Sequence, residues 1–147
     1  MTNAKVAAIS KDYDLAILEL EKSYSKKFSI KPKNFSDPKT GEDVISIGYP
    51  GIGITFEQPT ITQGIISKVF DDEVGIFLTT AAINSGNSGG PIFDKYGNIV
   101  GIVTGKVDSE KVLENEGFIP EDINYAVKTD RVLSFLNQPI NASLGKG

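Results

Sequence analysis

The chain predicts an all-β fold with one helix near its end, and three observations carry that prediction. Short apolar runs separated by turn residues fill most of the sequence from Gly41 onward. An opening pair of such runs flanks a polar turn in the manner of a hairpin. Only the segment after Thr129 repeats its apolar residues at clear helical spacing. Several short strands at such intervals favour a barrel or a sandwich.

In order, Lys5-Val6-Ala7-Ala8-Ile9 and Leu15-Ala16-Ile17-Leu18-Glu19-Leu20 form the opening hairpin around Ser10-Lys11-Asp12-Tyr13-Asp14. Residues 21–40 are rich in lysine, contain serine and proline, and show little periodicity, so they read as a solvated connector. Strands are expected near residues 43–48, 60–69, 75–80, 90–93, 99–104 and 123–127. Between two of them lies the turn Asp94-Lys95-Tyr96-Gly97-Asn98, where glycine supplies a positive φ. Thr129 or Asp130 is placed to cap the helix, whose apolar stripe is Val132, Leu133, Phe135 and Leu136. Pro139 stops it, and residues 141–147 read as a loose tail. No internal repeat is visible.

Composition narrows the function. A chain of 147 residues suits one ordinary domain with a real core. Its 39% hydrophobic and 23% charged residues are those of a soluble globular protein. No stretch approaches the roughly 18 consecutive apolar residues of a membrane helix, and residues 1–5 lack the layout of a secretion signal. There is no cysteine and no histidine, which excludes disulfides, thiolate metal sites and imidazole ligands. A net charge of −4 argues against a general nucleic-acid role.

The chemistry sits in Ala81-Ala82-Ile83-Asn84-Ser85-Gly86-Asn87-Ser88-Gly89-Gly90-Pro91. Acyl transfer by serine needs an exposed Oγ on a tight turn, and backbone amides that converge where an oxyanion forms. Gly86, two residues before Ser88, lets its peptide take that orientation, and Gly89-Gly90 allow close approach. A serine hydroxyl also needs a base beside it, commonly an imidazole held by a carboxylate. No residue of this sequence is an imidazole. Lys106 or Lys68 as base in a Ser-Lys pair is a weak candidate, because nothing places either beside Ser88.

Six segments occur in one order: Asp12-Tyr13-Asp14-Leu15-Ala16-Ile17-Leu18, Val44-Ile45-Ser46-Ile47-Gly48-Tyr49-Pro50, Thr62-Gln63-Gly64-Ile65-Ile66-Ser67, the Ser88 loop, Gly101-Ile102-Val103, and Asn124-Tyr125-Ala126-Val127. Together they resemble the trypsin-like serine proteases, most closely the HtrA/Deg type, over residues 6–136. The resemblance implies two six-stranded β-barrels with a His-Asp-Ser triad between them. This chain would then hold the C-terminal barrel (residues 43–138) with its helix. Residues 1–22 would be a remnant hairpin of the first barrel, residues 23–42 a connector and residues 139–147 a tail. The family's histidine precedes its aspartate by some tens of residues, so the resemblance implies that its absence here is one of truncation.

Carried over by the same resemblance, Ser88 is the nucleophile and Asp14 the orienting carboxylate. The amides of Gly86 and Ser88 form the oxyanion hole. Asn87 stands where digestive trypsins carry an aspartate used in zymogen activation, which argues against activation by a new N-terminus. Thr80 and Ser85 depart from the acidic residue and the proline common at their positions. Ala82 would form the base of the primary pocket with Ile83 beside it. Thr104-Gly105-Lys106 would form one wall and pair with an extended substrate, and Ile123 and Asn124 would close the far side. Without a carboxylate at the base, a small or medium apolar side chain is favoured.

Residues 107–121 form a long acidic loop, solvated or gating the substrate. Asp71, Asp72 and Glu73 read as a solvated turn, and the sequons at Asn34 and Asn141 are short enough to arise by chance. The resulting expectation is a serine endopeptidase fragment that lacks the histidine and is inactive alone. It needs no cofactor and no metal, takes polypeptide in extended conformation, and has no membrane span. The resemblance alone favours a periplasmic or cell-envelope location. A different reading is a non-catalytic protease-like module that binds extended peptides, and a third has a separate polypeptide supply the histidine. Truncation further predicts disorder before about Asp43, or an intermolecular contact through the exposed hairpin.

Overall fold

Short, largely apolar strands build two sheets in the computed structural model, which describes residues 3–22, 30–49, 58–105, 109–117 and 124–137. Strands β1 (Ala4–Ser10) and β2 (Leu15–Leu20) pair antiparallel as a two-stranded sheet. Six more follow: β3 (Asp43–Gly48), β4 (Thr60–Val69), β5 (Ile76–Thr79), β6 (Pro91–Asp94), β7 (Ile99–Thr104) and β8 (Asn124–Lys128). They close a barrel in the order β3-β4-β5-β8-β7-β6, with β6 returning to β3. Of the two architectures that strand spacing left open, the barrel is the one formed.

The strand period puts one face of each barrel strand inside. Val44, Ile66, Phe77, Ile92, Val100, Val103 and Ala126 come from all six strands and pack as one buried cluster with Ala81. Val100 and Val103 would fall on opposite faces of a regular strand. A register shift reconciles them, because Ile92 faces Gly101 while Phe93 faces Ile99. Val100 is thus an extra residue that turns inward. Gly101 is required by the same packing: a Cβ there would lie 2.4 Å from Cε1 of Phe77. The Phe77 ring covers the glycine.

β5 is buried along its whole length, which a barrel interior cannot explain alone. Its outer residues Ile76 and Leu78 pack with Phe70, Val74 and Val112, and Val112 belongs to helix α1 (Ser109–Glu116). The sequence reading of residues 107–121 as a loop is therefore corrected for this segment. Val112 is fully buried, Glu116 pairs with Lys68 at 2.5 Å, and Gly117 closes the helix by donating to the Leu113 carbonyl. Tertiary contact makes this helix, since its sequence offers too narrow an apolar stripe.

Helix α2 (Thr129–Asn137) buries Thr129, Val132 and Phe135. Asp130 Oδ1 accepts the Arg131 amide at 2.8 Å, where a carboxylate also suits the helix dipole. Thr129 does not cap: its hydroxyl donates to the Ile99 carbonyl at 3.3 Å and ties the helix to β7. The stop at Pro139 and the tail lie outside the described residues.

Part of the expected connector is bound to the barrel. A 3-10 turn at Pro32–Asn34 leads into Phe35, which bridges Ile99, and the Ser36 amide donates to the Ile99 carbonyl. Residues 3–22 take the form of the opening hairpin and residues 30–42 run to the start of β3. None of the described helices is long and apolar enough to cross a membrane.

The turn after β4 is held by charge. Buried Lys128 donates to the Phe70 carbonyl at 3.2 Å and to Asp72 Oδ1 at 2.9 Å. That hydrogen bond, then the charge of Lys128, lowers the Asp72 pKa below its ordinary 3.8. A depressed carboxylate stabilises the fold above its unfolded-state value, and the benefit is lost as pH falls through the lowered one. Thermal melts should show Asp72→Asn less stable than wild type at about pH 5, with the difference shrinking as the pH is taken down below the ordinary carboxylate range. Asp72 is exposed, so the effect is small.

Candidate active site

The loop after β5 is fixed before it reaches Ser88. The Ile65 carbonyl accepts both the Thr79 hydroxyl and the Thr80 amide, at 2.9 and 3.0 Å. Thr62 Oγ1 then donates to the Ala82 carbonyl at 2.7 Å, and Asn124 Nδ2 to the Ala81 carbonyl at 2.9 Å. Ala82 is exposed, whereas Ile83 turns inward against the barrel core. Asn124 therefore stands beside the Ala81–Ala82 segment, and its neighbour Tyr125 pairs with Thr104. Ala82, Ile83, Asn124, Thr104 and Gly105 come to one side of the barrel; Lys106 and Ile123 lie outside the described residues.

The chain next turns through Asn84–Asn87, with the Asn87 amide donating to the Asn84 carbonyl at 3.0 Å. Gly86 holds φ at +101°, which an L side chain rarely adopts. On the far side of Ser88, the Gly89 amide donates to the Val103 carbonyl and the Val103 amide to the Gly90 carbonyl, both at 2.9 Å. β7 thus clamps the loop from below while Ser88 remains exposed. Among the described residues, the amides of Gly86 and Ser88 donate to no other protein group. Asn87 is buried, and both polar atoms of its side chain lack a hydrogen-bond partner among those residues.

Asp14 arrives from the hairpin tip. Thr104 Oγ1 donates to Asp14 Oδ2 at 2.8 Å, across ninety positions of sequence. The next residue, Gly105, faces the nucleophile candidate: a Cβ on it would lie 3.7 Å from Ser88 Oγ. The Asp14 carboxylate and the Ser88 hydroxyl thus flank two adjacent residues of one strand end. Thr104 was expected only as a wall, and its bond to Asp14 is the contact that sequence reasoning missed. The available signal was a hydroxyl residue closing the otherwise apolar run from Ile99 to Val103. Lys68 is engaged by Glu116 and sits over the Phe70 ring, so its charge is committed to α1.

The family model described as trypsin-like peptidase domain matches residues 1–102. The chain belongs to the trypsin-like peptidase family. It is 38% identical to the serine protease Do-like HtrA of Bacillus subtilis over 78% of its own length and 27% of that protein. It also resembles the crystal structure of a serine endoprotease from Yersinia pestis, with a TM-score of 0.67 and 27% identity, covering 92% of this chain and 43% of that one. The HtrA-type protease AlgW, solved with a decapeptide, matches with a TM-score of 0.68 and 26% identity, over 92% and 39% of the two chains. The fold is that of an HtrA-type serine protease. The chain spans about a quarter of the length of the curated relatives it matches.

Proposed function

We propose that this chain carries the nucleophile and the orienting aspartate of a serine endopeptidase, and that the histidine between them comes from outside these 147 residues. One observation carries the proposal: Asp14 and Ser88 meet the same strand end, through Thr104 and Gly105. An imidazole bound to Asp14 would be held facing Ser88. It takes the Ser88 proton as Oγ attacks the peptide carbonyl carbon. The oxygen that becomes negative is received by the amides of Gly86 and Ser88, which have no other protein partner among the described residues. Collapse breaks the C–N bond, and the imidazolium returns its proton to the departing amine. Water then repeats the sequence on the acyl-serine and releases the acid.

The substrate is polypeptide held extended along the segment that begins at Thr104, with a small or apolar residue entering beside Ala82, itself without a carboxylate. A decapeptide accompanies the related AlgW, which supports a peptide ligand. The lack of histidine in this sequence favours a second reading, a module that binds extended peptides without cleaving them. A further part of the proposal concerns the hairpin. Val6, Ile9, Leu18 and Leu20 are all about half exposed or more. A two-stranded sheet is marginal alone, so it gains neighbours from the rest of the protein or from a second copy.

One pair of proteins tests these points: the 147-residue chain, and a form extended upstream through a histidine. Casein hydrolysis in the extended form alone, abolished by Ser88→Ala, supports the protease. Absence of hydrolysis in both, with tight binding of an extended peptide, establishes the module instead. On a sizing column the 147-residue chain should self-associate more than the extended form; equal behaviour removes the hairpin as an association surface.

A further inference from the structure

Asp14 lies on a turn and is itself exposed, yet it reaches one particular hydroxyl. Something must hold the turn. The residue before it, Tyr13, supplies the contacts. Its ring lies 5.3 Å from the guanidinium carbon of Arg131, within cation–π range. Its Cε1 occupies the space over Gly75, where a Cβ would come within 2.7 Å of it. Gly75 also holds φ at +71°, so a side chain there is disfavoured twice.

The notch is itself braced. Arg131 donates to the Asp72 carbonyl, and the Lys128 amide donates to the Gly75 carbonyl at 3.0 Å. Locally, the Tyr13 amide donates to Ser10 Oγ at 3.0 Å and the Leu15 amide to the Tyr13 carbonyl at 2.6 Å. The turn therefore enters and leaves Tyr13 with a set geometry. Ring, notch and guanidinium come from three separate parts of the chain: the hairpin tip, the turn before β5, and α2.

We infer that Tyr13, seated between Gly75 and Arg131, is a positioning residue that latches the hairpin tip to the barrel and thereby presents the Asp14 carboxylate to Thr104. It touches no reacting atom; it acts through Asp14. Consecutive Cα atoms are about 3.8 Å apart, so a side chain fixed at position 13 leaves the carboxylate at 14 little room to wander. The ring and the cation are the working parts, and the phenol hydroxyl is not.

The inference rests on the role proposed for Asp14, but its test needs no activity. In the 147-residue chain, NMR reads the Asp14–Thr104 contact as a nuclear Overhauser effect and the tip through amide exchange at Leu15. Tyr13→Ala should abolish the contact and speed that exchange about tenfold, a change of the size a cation–π contact with its packing supports. Exchange in β3–β8 should stay at wild-type rates, which separates a lost latch from a damaged fold. Tyr13→Phe should restore both readouts, and Arg131→Met should reproduce the Tyr13→Ala loss in part. Persistence of the contact in Tyr13→Ala, or failure of Tyr13→Phe to restore it, overturns the latch. If Ser88 proves not to be a nucleophile, the protease reading falls while this readout stands unchanged.

Discussion

Asp14→Asn, placed in a form of the protein that carries the histidine, lowers kcat by about 10⁴-fold with KM little altered. Asparagine keeps the size of the side chain, and its carbonyl still accepts from the Thr104 hydroxyl seen at 2.8 Å. What it loses is the charge that stabilises an imidazolium and the acceptor that fixes the imidazole tautomer. The defect is thus one of transition-state stabilisation, which lowers kcat and kcat/KM together. Asp14 is exposed, so the melting temperature should hardly move. Steady-state kinetics on a chromogenic peptide checks this, and a loss below about tenfold takes Asp14 out of the mechanism.

Phe77→Ala should be the most damaging single change to the fold, costing about 3–5 kcal/mol. Phe77 is fully buried in the barrel cluster, and its ring lies against Gly101 on the neighbouring wall. Deleting the ring leaves a cavity bordered by buried side chains of the other five barrel strands. Urea unfolding followed by circular dichroism measures the loss. A cost under about 1 kcal/mol would mean that the barrel interior relaxes more freely than this packing implies.

The strands were legible as short apolar runs between turn residues, which left a barrel or a sandwich open, and the family resemblance implied the barrel. β3, β4 and β7 run over the residues that apolar runs and turn chemistry marked out, and β5, β6 and β8 differ by a residue or so at their ends. α1 was not legible. Only Val112 and Leu113 are apolar within it, and what makes it a helix is a hydrophobic surface offered by Phe70, Val74, Ile76 and Leu78. The Ser88 loop could be read because its backbone geometry demands glycine, and Gly86 does take the left-handed conformation. The seat of Tyr13 could not, and of the Thr104–Asp14 bond only the hydroxyl at the end of the Ile99–Val103 run could be seen. Both join segments that only barrel closure and the docking of α2 bring together, so no local pattern names either partner.

The same division applies to function. A candidate nucleophile loop such as that around Ser88 is a local device, so its residues announce it. A general base is a matter of what stands opposite, and here the groups that would hold it are Asp14 on the hairpin tip and the Thr104–Gly105 strand end. Family membership follows from the match over residues 1–102. The part proposed for each residue is argued from these contacts.

The most direct measurement is the mapping of a fluorophosphonate adduct by mass spectrometry on the extended, histidine-bearing form beside the 147-residue chain. The account predicts one adduct, on Ser88, in the extended form only, and its disappearance on Asp14→Asn within the labelling time. An adduct on another residue, or none in the extended form under conditions that label trypsin, would contradict Ser88 as the nucleophile.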